Sequence, residues 1–336
     1  MQALVAGSAC GGKGNTVVMA LVRSLTALGR VRRYAPQGAP LVQGRSMASG
    51  VDVLGREGQQ ISDAEMSKSL LNSRISGTLT TYVERTCGDG DKAPEVPLYG
   101  SQTTYICHND EVVMGVRNDS RHVVNLAANS ICSFLLFPIT PVQYNPVEVP
   151  VPRVNITGRL VEVHDKGKLN AAKETYCKIH PGIRPYLDEY GFYKLELQDS
   201  TDIALQKPAQ GSVQYVTKSE LLLATIDPLA LPQRKMLEGL NRDYVRELKG
   251  LCLYYAEILP HDVFVYFADR YGMNIMATST LPEELKVDKK EADGTKLMWN
   301  DVRMPFPFEV HSEREFKAAA REAMDDAMDK LKKSVS

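Results

Sequence analysis

Apolar residues recur along this chain with two different periods, and the periods divide it into elements. ISDAEMSKSLLNS (61–73) has helical spacing, with Ser62 or Asp63 placed to cap its start. From about Ile75 to Pro138 the runs ISGTLTTYVERT, TTYICH, EVVMGVR and SRHVVNLAANSICSFLLF are short and rich in Val, Ile, Thr and Tyr, and they predict strands. HNDE and RNDS between them predict tight turns. PITPVQYNPVEVPVPR holds five prolines in sixteen residues, so it is extended and unsuited to a central strand. NITGRLVEVHD predicts another strand, and the basic, aromatic insertion from Lys166 to Tyr193 ends in a β-like stretch.

Further on, LPQRKMLEGLNRDYVRELKGLCLYYAEI predicts one long helix, with Leu237, Leu240, Tyr244, Leu248 and Leu251 on a common face and Pro260 as its stop. DVFVYFADRYG predicts a buried strand. SEREFKAAAREAMDDAMDKLKK predicts a closing helix, with capping-box spacing between Ser312 and Glu315. At the other end, ALVAGS predicts a strand, CGGKGN a loop, TVVMALVRSLTALG a helix and RVRRY a β-prone exit, before APLVQGRSMASG leads into another helix.

This order lacks the regular βαβ alternation of a doubly wound sheet. It predicts an α+β fold with a mostly antiparallel sheet, an RRM-like core being one form of it, with long insertions and a C-terminal helix. The expected organisation is one large domain over 1–336, divisible into a basic α/β part (1–140), a proline-rich connector (138–152) and an α+β part (153–336).

Composition adds bounds. With 336 residues and 43% hydrophobic content the chain can bury a substantial core, and no apolar run approaches a membrane span. Its start lacks the charged n-region and long apolar stretch of a signal peptide. The six cysteines are scattered, without CxxC pairs or His at ligand spacing, so free thiols, a cytoplasmic location and no metal are expected.

Charge changes the picture most. The formal net charge is −1, yet the first 51 residues hold six Lys or Arg (Lys13, Arg23, Arg30, Arg32, Arg33, Arg45) and no Asp or Glu. A one-sign stretch attracts phosphate, so a local polyanion site is expected. Arg117, Arg121 and His122 form a second basic cluster. The insertion interleaves Lys168 and Lys178 with Tyr176, Tyr186 and His180, a combination that suits unpaired bases.

Enzymatic motifs are weak. Gly7 to Gly14 fits the first part of GxxxxGK, but Gly14 stands where a phosphate loop needs Ser or Thr. Asp269 ends a strand that could supply a metal-binding carboxylate, although far from the loop. The YxxxK spacing of Tyr190 and Lys194 falls in a strand-like segment. No HExxH or GxSxG occurs. No catalytic residue and no cofactor is therefore expected.

The succession Gly14, Asn15, Arg23, then Pro40, Gly44 and Ser46 resembles the N-terminal region of the RNA-binding backbone subunits of multisubunit CRISPR effector complexes, in the repeat-associated mysterious protein superfamily. The resemblance covers about 50 residues. It implies a non-catalytic, self-assembling subunit of a ribonucleoprotein defence complex, stacked into a filament on a guide RNA that pairs with target DNA or RNA. The six N-terminal basic residues would hold phosphates, with Lys13, Gly44 and Ser46 lining the groove. Two other readings stay open: a nucleotide-binding enzyme using loop 7–14, and a viral or phage structural protein that assembles without nucleic acid.

Overall fold

The computed structural model describes residues 59–82, 98–108, 111–146, 148–197, 203–207, 213–280 and 297–333. The basic stretch 1–51, with Lys13, Arg23, Arg30, Arg32, Arg33, Gly44, Arg45, Ser46 and the loop 7–14, lies outside the described residues.

Helix α1 (Asp63–Ser73) starts at Ser62, whose hydroxyl accepts from the Glu65 amide while the Glu65 carboxylate accepts from the Ser62 amide. This closes a reciprocal capping box and makes Ser62, of the two candidates, the N-cap. Strands β1 (Ser76–Tyr82), β2 (Leu98–His108) and β3 (Glu111–Arg117) follow as an antiparallel meander. The run SRHVVNLAAN is not a strand. After the turn at Asn118–Ser120 it forms helix α2 (Arg121–Ala128), with Ser120 as its cap, and only Ile131–Leu136 continues as β4. β-branched residues in a short segment did not outweigh an N-cap and a helical amphipathic face.

The proline-rich stretch links β4 to β5 (Arg153–Glu162), and these two strands pair with each other. Helix α3 (Lys166–Ile179) and a 3₁₀ segment (Pro181–Glu189) lead into β6 (Tyr190–Glu196), so Tyr190 and Lys194 both sit on a strand. β1, β2, β3, β6, β5 and β4 pair in that order and β4 returns to β1. The result is a closed six-strand antiparallel barrel rather than the open sheet of an RRM-like core. β5 turns from one neighbour to another along its length: its first half pairs with β7 (Ile203–Gln206) and its last residues with β6, and β8 (Val213–Val216) adds outside β7.

The barrel interior holds Leu79, Tyr105, Met114, Phe134, Val154 and Ile156, all nearly or fully buried. Outside it, α3 lays Ala172 and Tyr176 on Ile106, Val113 and Phe192. β2, β3 and β6 are thus covered on both faces, which accounts for the nearly continuous apolar run of EVVMGV.

The rest of the chain builds a second layer. After α4 (Lys218–Leu223), the stretch read as one helix is two, α5 (Gln233–Asp243) and α6 (Val245–Ala256), broken at Tyr244. β9 (Val263–Asp269), β10 (Gly272–Thr280) and β11 (Leu297–Pro305) form a three-stranded antiparallel sheet, and α7 (Glu313–Lys333) closes the fold. Every residue of β9 is buried because its sheet is sandwiched. Phe264, Tyr266 and Met276 join the barrel core, while Val263, Val265, Ile275 and Ala277 join the core under α5, α6 and α7. A bulge between Asn274 and Ile275 shifts the register, and Asn241 occupies the edge there, its amide exchanging two hydrogen bonds of 2.7 and 2.8 Å with the Val265 backbone.

Arg270 ties the two layers. It reaches Glu65 of α1 at 2.8 Å, Asp227 at 3.4 Å and Glu309 at 3.2 Å, and its amide donates to Asp227. Burial pushes the Glu65 carboxyl up, but hydrogen bonds from Arg270, Ser62 and Thr225 outweigh that and hold it at about 2.

Candidate functional site: a hydroxyl-lined cleft on the barrel

Where β3 turns into α2, the capped helix start lies over the first half of β2 and encloses a cleft of about 310 Å³. One wall is the β2 segment Ser101, Gln102, Thr103 and Thr104; the other is Gly115, Val116 and Arg117 of β3, with Ser120, His122, Ile183 and Tyr190 completing it. Hydroxyls dominate this lining, and the α2 amide dipole adds positive potential at the same end.

His122 organises the cleft. It is 1% exposed, tilted against the Tyr99 ring at 4.7 Å, with Nδ1 3.0 Å from Thr81 Oγ1 and Nε2 2.8 Å from Ser101 Oγ. Cross-strand pairing sets Thr81 opposite Tyr99 and Leu79 opposite Ser101, so all four share one face and the two hydroxyls flank the ring. Asn125 Nδ2 donates to Thr81 Oγ1 at 2.9 Å. The two ring nitrogens take opposite roles: in the Nε2–H tautomer Thr81 donates to Nδ1 and Nε2–H donates to Ser101, and in the Nδ1–H tautomer both directions reverse. In the Nε2–H tautomer the Ser101 hydroxyl proton is available to donate into the cleft. Burial pulls the His122 pKa below its usual value, favouring the neutral imidazole.

Gly115 shapes the cleft floor. A Cβ there would stand 2.5 Å from Tyr176 Oη, which forms a short hydrogen bond with Thr104. Burial pushes the Tyr176 phenol up to about 12, so it stays protonated. The site thus presents neutral donors and a helix N-terminus. Its chemistry is reception of acceptor oxygens.

Of the residues singled out from sequence, Arg117 and His122 line this cleft, and Arg121 opens α2 beside it on an exposed turn. Arg117 is already committed, forming a bidentate pair with Asp119 at 2.8 and 2.9 Å and reaching Glu189 at 3.3 Å. Lys168 and Lys178 are exposed on α3, away from the cleft, and Lys178 pairs with Glu174. Asp269 holds no metal-site geometry; it accepts from the Tyr271 and Gly272 amides and pairs with Arg303 at 2.6 Å, closing the β9–β10 turn. Thr81, Ser101, Ser120 and Asn125 were not singled out. Neutral hydroxyls scattered over three elements leave no linear signal, although RNDSRH does contain the Ser that caps α2.

The family model of the CREG β-barrel matches residues 59–220, a span that begins just before α1 and contains all six barrel strands with β7 and β8. No curated protein matches the chain. Among solved structures, a heme-binding protein from Mycobacterium smegmatis is similar at 19% identity, over 81% of this chain and 99% of its own, with a TM-score of 0.47. Atu2129 of Agrobacterium tumefaciens, of unknown function, is 14% identical over 77% of this chain and 94% of its own, with a TM-score of 0.35. HutZ, the heme storage protein of Vibrio cholerae, is 11% identical over 43% of this chain and 95% of its own, with a TM-score of 0.33.

The family match overturns the CRISPR resemblance. A barrel-family match over residues 59–220 replaces a likeness built on a stretch of about 50 residues with six basic side chains. With it go the RNA-binding, filament-forming role, the guide and target partners, and the defence-complex reading. The physical cause of the error is plain: a run of one charge sign raises potential wherever it occurs and does not specify a fold. Among the described residues no helix is long and apolar enough to cross a membrane.

Proposed function

We propose that the chain is a binding barrel for a flat, anionic cofactor of the heme or flavin class, held by its acidic groups in the His122 cleft. The observation that carries this reading is the cleft lined by the Ser101, Thr103 and Ser120 hydroxyls at a helix N-terminus, on a barrel that coincides with the matched family span. A carboxylate or phosphate would accept hydrogen bonds from Ser101, Thr103 and Ser120, while the helix dipole favours its charge. Ser120 already accepts from the His122 amide at 3.2 Å, which leaves its own proton to donate. Arg117 stands half-exposed at the rim between Asp119 and Glu189, and would have to exchange one of these carboxylates for the ligand's to bind it. The flat body of the ligand would rest on the exposed face of Tyr99 and the rim of the cleft, where aromatic stacking contributes.

Among the described residues no group of three or more His, Cys, Asp or Glu converges as a metal site, and both His122 nitrogens are engaged within the protein. The residues present therefore fit reception of a ligand's anionic groups and not ligation of its metal by His122. Hemin and flavin mononucleotide are the two probes. Titration of the purified chain followed by absorbance and tryptophan quenching should give saturable binding of one of them, weakened about tenfold or more by Ser101→Ala combined with Arg117→Glu. Absence of saturable binding of both, or affinities indifferent to the cleft substitutions, would overturn the proposal.

A further inference from the structure

The larger cavity of the barrel layer lies elsewhere. At the opposite ends of β2 and β3 from the His122 cleft, α1 and α4 bracket a pocket of about 550 Å³ that shares no lining residue with it. The floor is aliphatic: Leu71 of α1, Ile156 of β5, Leu195 of β6 and Leu221 of α4 are each at most 6% exposed. Toward solvent the lining continues with Leu222 and Ile226, which remain 50% and 38% exposed. Charge is confined to the partly exposed level. Lys68, Lys194 and Lys218 stand there against Glu111 and Glu196, so positive groups outnumber negative ones by three to two. Lys194 is positioned by Glu111 at 3.1 Å and Glu196 at 3.3 Å, and Lys68 Nζ donates to the Leu222 carbonyl at 3.2 Å, joining α1 to α4 across the mouth.

Two features select a ligand. Among the described residues no aromatic ring lines the pocket to stack a flat ring, whereas branched aliphatic side chains pack readily against methylenes. The gradient from a buried apolar floor to a cationic mouth matches a molecule with an apolar tail and one anionic head. Exposed apolar side chains at a pocket lip mark surface that a ligand covers, and barrel mouths are common ligand sites of this size. We propose that this pocket binds a single-chain carboxylate amphiphile of the long-chain fatty acid type, its tail on Leu71, Ile156, Leu195 and Leu221 and its carboxylate at the lysine rim.

The probe is 11-(dansylamino)undecanoic acid, titrated into the purified full chain, with palmitate and hexadecanol as competitors. A saturable, one-to-one fluorescence enhancement is expected, displaced by palmitate at least tenfold more effectively than by hexadecanol. Leu221→Trp, which fills the floor, should weaken binding tenfold or more. Should that variant melt early, the half-exposed Leu222→Trp narrows the mouth with less demand on the core and should weaken binding several-fold. Lys218→Glu should weaken the acid and leave the alcohol unchanged, and Ser101→Ala should change neither. Absence of saturable enhancement, equal displacement by acid and alcohol, or loss of binding on Ser101→Ala would each overturn the proposal. The last would assign the ligand to the other cleft, leaving the cofactor reading standing.

Discussion

The barrel and the three-stranded layer bury polar groups by different means. Around His122 the barrel uses neutral groups only: an amide, two hydroxyls and an imidazole satisfy one another in a chain. The second layer buries charge. Asp227 has no exposed side-chain surface and answers Arg270, while Asp269 is 2% exposed and answers Arg303. Asp301 accepts from Tyr266 at 2.9 Å beside the same arginine. A neutral network presents donors to a ligand without demanding a counter-ion. A buried ionic one fixes two layers against each other but becomes costly when any partner is removed. The contrast places ligand reception in the barrel and mechanical attachment in the joint.

The most severe way to break the joint is Arg270→Ala. It strands the buried Asp227 carboxylate and frees Glu65 and Glu309 together, so a loss of about 3 kcal/mol in urea unfolding is expected. Asp227→Asn in the same chain should recover part of that loss, since the stranded charge is then gone. An Arg270→Ala loss below about 1 kcal/mol would mean that apolar packing alone holds the layers.

Next in size is Asp301→Asn. Burial, partly opposed by hydrogen bonds from Tyr266 and Asn274 and by Arg303, raises the Asp301 carboxyl to about 6. Its folded value lies above its unfolded one, so the folded form binds the extra proton. The penalty is absent below the unfolded value and grows as pH rises through that window toward 6. The substitution should therefore stabilise the protein by about 1–2 kcal/mol at pH 7.5 and by much less at pH 4. Equal effects at the two pH values would remove Asp301 from the pH response.

His122→Gln sharpens the comparison with the smallest effect. The folded pKa is depressed, so stability is fully present above about 6.5 and falls as the ring must be protonated at lower pH. Gln should cost about 1 kcal/mol at pH 7.5, from imperfect hydrogen bonds to Thr81 and Ser101, and should flatten the decline between pH 6.5 and 5. The two sites thus give opposite slopes with pH, and a double variant should show nearly none from either.

Local signals were legible where one element decides its own shape. Ser62 before α1 and Ser312 before α7 mark helix starts, because a cap needs only residues a few apart; the Ser312 hydroxyl does accept from the Glu315 amide at 3.2 Å. The buried character of VFVYFAD was legible too, since only a strand covered on both faces tolerates such a run. The break at Tyr244 was hidden, because Leu240, Tyr244 and Leu248 keep helical spacing across it. The His122 cleft was half visible. Its basic members attracted notice as a charged turn, yet the histidine is buried and neutral, and its hydroxyl partners come from strands about 20 and 40 residues away.

By itself, then, the sequence determined the α+β class, the antiparallel habit, most strand positions and the closing helix, because periodicity and caps act over one or two turns of chain. Only the tertiary structure decided that β4 returns to β1 to close a barrel, that Arg270 locks a second sheet onto it, and that a histidine read as a cation is an uncharged link between hydroxyls. Those outcomes depend on pairing and burial between residues distant in sequence. Desolvation and cross-strand register belong to the folded whole, and no short window of residues carries them.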